Sequence, residues 1–115
     1  MKFTAVYTSL IALPLSLGQN VIYQAYQGQT NGGSTCTGAS LGRSAQSGPG
    51  TGPYVDAGEG ACVLLAGLVG DSSLCHAQVY SEPGCNDDDF IEAVDLTNEG
   101  DSYNINFSSF EAFCG

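Results

Sequence analysis

Tryptophan is absent from the 115 residues, histidine occurs once, and lysine and arginine together occur twice. Each shortage removes a class of function. A hydrolase of polysaccharide needs a large cleft with aromatic platforms, and without tryptophan that reading is the weakest of those weighed. A Ser-His-Asp or Cys-His relay would have to run through His76, and no Gly-x-Ser-x-Gly elbow accompanies it. Neither a CxxC pair nor a second histidine offers zinc-ligand spacing. Twelve acidic residues against two basic ones give a formal net charge of −10. Nucleic acid and anionic membrane surfaces are therefore disfavoured partners. Beyond the first segment, no apolar run reaches the roughly 20 residues that span a bilayer, so membrane insertion is not expected.

What the chain does have begins at its start. Lys2 precedes a nearly uncharged, largely apolar stretch, FTAVYTSLIALPLSL, at 3–17. Pro14 breaks it, and Ser16 and Gly18 place small residues at −3 and −1 of a cut before Gln19. That layout predicts a secretory signal peptide at 1–18 and a secreted, extracellular mature domain at 19–115. Losing Lys2 leaves Arg43 against twelve carboxylates, a side-chain charge of 1 − 12 = −11. Such charge favours solubility, a monomeric state and cationic partners.

An extracellular chain of this size often supplements a small core with disulfides. Cys36, Cys62, Cys75, Cys85 and Cys114 are the candidates, and an odd count predicts two bridges and one thiol. Cys114 is expected to be paired, with Cys62 or Cys75, because a bridge there staples a terminus. The leftover thiol is expected either to be buried and inert, the favoured reading, or to pair with another molecule.

Along the chain, VIYQAY at 21–26 reads as a first strand. Residues 28–60, rich in Gly, Ser, Thr and Pro with SGPGTGP at 47–53, read as a long Gly/Ser-rich loop. ACVLLAGLV at 61–69 suits a buried strand, and Cys75, Ala77 and Val79 alternate with His76, Gln78 and Tyr80. With GDSS between them, the two segments are expected to form a hairpin, His76 lying on its solvent face. FIEAVDL at 90–96 is a further strand, and Tyr103, Ile105 and Phe107 alternate with Asn104, Asn106 and Ser108 in the last one. The prediction is a mainly β domain, a small antiparallel sandwich or barrel stabilised by disulfides.

The C-terminal third carries a resemblance. Tyr80-Ser81-Glu82-Pro83-Gly84-Cys85 and Phe107-Ser108-Ser109-Phe110-Glu111-Ala112-Phe113-Cys114 follow a Y-S-x-x-x-C … F-x-S-F-x-x-x-C pattern. This resembles the C-terminal half of small secreted cysteine-rich proteins of fungi. In these a cysteine often precedes the last strand, near Ser102 here. The segment is also similar to one Greek-key motif of the βγ-crystallin fold. That second likeness implies a Ca²⁺ site over Asn104-Ile105-Asn106-Phe107-Ser108-Ser109, with Ile105 standing where an acid or amide is needed.

Two local motifs remain. Asp87, Asp88 and Asp89 form an acidic turn, with Glu92 and Asp95 just after, and are the candidate Ca²⁺ ligands. They lack the D-x-D-x-D-G spacing of an EF-hand, and a solvated turn is the plainer reading. Asn106-Phe107-Ser108 is an N-glycosylation acceptor sequence. No catalytic residue and no cofactor are expected beyond that Ca²⁺ option. The resemblance implies an effector-like or antimicrobial protein that binds an extracellular host or competitor component, a protein or a cell-wall constituent. The alternative is a Ca²⁺-binding structural protein of the cell surface. A small hydrolase or an enzyme inhibitor is the weakest.

Overall fold

The structure, a computed structural model, describes residues 19–30 and 35–115. The signal peptide read at 1–18 lies outside the described residues. Seven antiparallel strands follow one another: β1 (Gln19–Gly28), β2 (Thr37–Ser47), β3 (Gly50–Thr51), β4 (Val55–Gly70), β5 (Cys75–Tyr80), β6 (Phe90–Val94) and β7 (Ser102–Cys114). They form one sheet in the order β2-β1-β4-β7-β5-β6, with β3 also paired to β7. The mainly β, disulfide-held class expected from the sequence is the one the chain adopts.

Period-two alternation builds the inner face. Val21, Tyr23 and Ala25 of β1 are fully buried, as are Val63 and Leu65 of β4, Ala77 and Val79 of β5, and Phe110 and Ala112 of β7. These side chains belong to one core cluster with Val94, Leu96 and Phe107, so the sheet curls over a single sandwich-like interior. Phe107 and Phe110 meet edge to face at 5.8 Å.

β7 makes the curl possible. Its residues from Ser102 to Phe110 pair with β4, and those from Ser109 to Cys114 pair with β5. Gly50 and Thr51 of β3 pair with Cys114 and Phe113. Across the fold, Ser44 of β2 is fully buried. Its Oγ donates to the Pro53 carbonyl at 2.6 Å and accepts from the Ala112 N–H at 2.9 Å. This hydroxyl joins two strands 68 positions apart in the sequence.

Two sequence expectations are corrected. Residues 28–60 are not one long loop: 37–47 form β2, 50–51 form β3, and β4 begins at Val55. β2 escapes a hydrophobicity reading because Ser44 is its only buried position. It pairs only with β1, as an edge strand whose side chains are mostly exposed or half-exposed. The expected hairpin between 61–69 and 75–80 also does not form. β4 takes β1 and β7 as its neighbours, and β5 takes β6 and β7. The 71–74 connection therefore crosses from one half of the sheet to the other.

Candidate functional site: a cleft at a slipped strand pair

β4 and β7 do not stay in step. From Cys62 to Gly60, β4 advances two residues while β7 advances three, from Asn104 to Phe107. From Gly60 to Asp56, β4 advances four while β7 advances two, from Phe107 to Ser109. Bulges of this kind bend a strand and free ladder groups, and they concentrate beside functional sites. Glycine makes the slip possible. A Cβ on Gly60 would lie 2.5 Å from Phe107 Cζ, so only a bare backbone lets the buried ring lie beneath it. Gly58 has φ +71°, a left-handed conformation that favours glycine.

The slip opens a cleft of about 460 Å³, within the range that small ligands occupy. Gly58, Glu59, Gly60 and Ala61 of β4 form one wall, and Asn106, Phe107 and Ser108 of β7 form the other. Gln27 of β1 and Ser81, just beyond β5, complete the lining. Five polar side chains thus converge: Gln27, Glu59, Ser81, Asn106 and Ser108. None of them hydrogen-bonds or ion-pairs with another side chain or backbone group among the described residues. The cleft therefore presents one carboxylate, two amides and two hydroxyls ready for an outside partner.

Ser81 reaches this place because the β5–β6 connection is tied down. The Gly84 N–H donates to Asp56 Oδ1 at 2.8 Å, and the Cys85 N–H donates to Ser109 Oγ at 3.0 Å. Ser109 Oγ donates in turn to the Glu82 carbonyl at 2.6 Å. Ser109, like Ser44, is a fully buried hydroxyl that joins distant segments.

The other sequence candidates fall as follows. Asp87, Asp88 and Asp89 form a one-turn 3-10 helix, and Asp87 and Asp88 are exposed. Among the described residues no three His, Cys, Asp or Glu side chains gather into a metal-holding group. Adjacent residues on such a turn point in different directions. Asn104 clamps Thr30, its Oδ1 accepting from the Thr30 N–H and its Nδ2 donating to Thr30 Oγ1, both at 3.0 Å. Ser108 faces the cleft while Ser109 is buried, so alternation separates the serine pair.

His76 is half-buried, its ring 5.1 Å from that of Phe113 and its Nε2 3.2 Å from the Gln78 amide. Tyr80 Oη donates to Glu111 Oε2 at 2.7 Å. Burial first, then this bond to a carboxylate, pushes the Tyr80 phenol above its ordinary range. The disulfides are Cys36–Cys62 and Cys75–Cys114, so Cys114 takes Cys75 of the two partners considered. Cys85 is the free thiol, half-buried. Burial pushes it up to about 11, although the Ser109 hydroxyl pulls the other way. It is a weak nucleophile at neutral pH.

Asn106 and Ser108 were visible in the sequence as an acceptor motif. Gln27, Glu59 and Ser81 were not, because they lie on separate segments that only the slip in register brings together. No helix among the described residues is long and apolar enough to cross a membrane. No protein-family profile, curated protein or solved structure matches the chain.

Proposed function

We propose that the protein is secreted and non-catalytic, and that it binds a basic extracellular component of a host or competitor through the cleft between β4 and β7. The carrying observation is the convergence of five polar side chains, Glu59 among them and none with a hydrogen-bond partner among the described residues, on a cavity of about 460 Å³. Twelve carboxylates in the chain steer cationic groups toward such a site and turn anionic ones away. Two disulfides suit an oxidising compartment outside the cell, which is where the leader sequence directs the chain. The resemblance to fungal secreted cysteine-rich proteins points to an effector-like or antimicrobial role.

The test compares capture from extracellular fluid by the wild-type protein and by Glu59→Lys. A partner enriched in Lys and Arg should be retained by the wild type, released by raised salt, and lost with the variant. Equal capture by both proteins would sink the cleft as the binding surface. Mass spectrometry of protein from the medium should find Gln19 at the N-terminus, and a retained Met1 would sink secretion.

A further inference from the structure

The acceptor sequence Asn106-Phe107-Ser108 lies inside the cleft rather than elsewhere on the surface. Asn106 and Ser108 share the outward face of β7 and both line the cavity, while Phe107 between them is buried. The Asn106 side chain is exposed and has no hydrogen-bonding partner among the described residues, so its Nδ2 is free for substitution. A sugar attached there would begin at the mouth of the cavity. The groups around it are those that satisfy sugar hydroxyls and an N-acetyl group: the Gln27 amide, the Glu59 carboxylate and the hydroxyls of Ser81 and Ser108.

We propose that Asn106 is an N-glycan acceptor whose glycan lies over the cleft, so that glycosylation decides whether the binding surface is open or closed. The second half of this inference rests on the cleft being the binding surface. The chemistry is a single substitution at a sugar carbon. Asn106 Nδ2 attacks the anomeric carbon of a polyprenol-diphosphate oligosaccharide supplied by the secretory pathway. The new C–N bond replaces the C–O bond to the diphosphate, the amide loses one proton, and the polyprenol diphosphate departs. The reaction meets the extended chain before folding, and the outward face of β7 lets the product fold with its sugar in solvent.

The test places residues 19–115 behind a signal peptide of a eukaryotic secretory host, so that entry to the pathway does not depend on the native leader. Protein from the medium should lose the mass of one N-glycan on amidase treatment, with Asn106 converted to Asp. Ser108→Ala should abolish that mass and Ser108→Thr should keep it. Asn106→Gln serves as a second non-acceptor should Ser108→Ala fold poorly. Hydrogen exchange at Gly58–Ala61 should become several-fold faster after the glycan is removed, with β6 unchanged. Unmodified protein in the medium would overturn the acceptor, and equal exchange before and after removal would overturn the covering of the cleft. Failure of the native leader alone to direct secretion would sink the secretion reading and leave this result standing.

Discussion

Tyr23 carries a cost that a single atom removes. Its side chain is fully buried, and its Oη has no hydrogen-bond partner among the described residues. A hydroxyl buried without a partner costs about 1–3 kcal/mol. Tyr23→Phe deletes that hydroxyl and keeps the ring that fills the core between β1 and β4. The variant should therefore be about 1 kcal/mol more stable at pH 7 once the small void is counted, which raises Tm by about 4–8 °C for a domain of this size. The pH dependence sharpens the test. Burial first, and Asp95 second, push the Tyr23 phenol up to about 12 from its ordinary 10.0. The native state then holds its proton where the unfolded state has lost it. This contribution to stability is complete below pH 10 and is lost as pH rises through 12. At pH 11 the wild type should have lost about 1.4 kcal/mol through this residue, and the variant none of it. The other tyrosines are common to both proteins and cancel. Urea unfolding with the disulfides intact, from pH 8 to pH 11, reads the difference directly. A variant less stable than wild type at pH 7, or a gap that stays constant to pH 11, would refute the reasoning.

Three further outcomes follow from the same geometry. Ser44→Ala strips partners from the Ala112 N–H and the Pro53 carbonyl and should cost about 2–3 kcal/mol in urea unfolding, whereas the exposed Ser47→Ala should stay within about 0.5 kcal/mol. Removing the Cys75–Cys114 bridge, which spans 39 residues, should cost about 4 kcal/mol, and removing Cys36–Cys62, which spans 26, about 3.5 kcal/mol. Paired Cys→Ala variants measured by thermal unfolding check both values. With its thiol raised to about 11, Cys85 should react with a thiolate-selective reagent at pH 8 about 100-fold more slowly than in the urea-unfolded chain, and the rate should climb steadily toward pH 11.

The parts of this fold legible in the sequence are those where one face is dry. β1, β5 and the first half of β7 alternate apolar with polar residues because their inner positions enter the core; that alternation places β1 and β5 within two residues of their bounds, whereas β7 runs six residues past Ser108 to Cys114, the alternation breaking where Ser109 and Phe110 are both buried. β2 left no such signal, since TGASLGRSAQS gives only Ser44 to the interior, and a buried serine reads as a surface one. The first turn of β4 was hidden by Gly58 and Gly60, whose missing side chains look like loop composition but serve a bulge. Strand order was hidden as well. The apolar content of 61–69 reveals that the segment is buried, but its neighbours, β1 and β7, are set by contacts tens of residues away. The candidate site was half legible for a similar reason: a tripeptide motif shows in the sequence, whereas a register slip does not.

The distribution of fastenings along β7 explains why the cleft sits where it does. The C-terminal half of the strand is held by the Cys75–Cys114 bridge, by pairing with both β3 and β5, by the Ser44 hydroxyl on the Ala112 N–H, and by the Ser109 hydroxyl on the 82–85 connection. Beyond the slip, Cys62 is bridged to Cys36 and pairs across to Asn104. Between these two anchored regions lies the stretch around Phe107, where β4 and β7 share a single register pair, Gly60 with Phe107. A strand pair fixed at both ends can leave its middle out of register without unravelling, because the closure entropy has been met on either side. The polar groups exposed there are held in place by a scaffold whose stability does not depend on them. Substitutions at Glu59, Ser81 or Ser108 should therefore alter the chemistry of the cleft while the core and its two disulfides stay intact, so that under the proposed function binding would vary independently of folding.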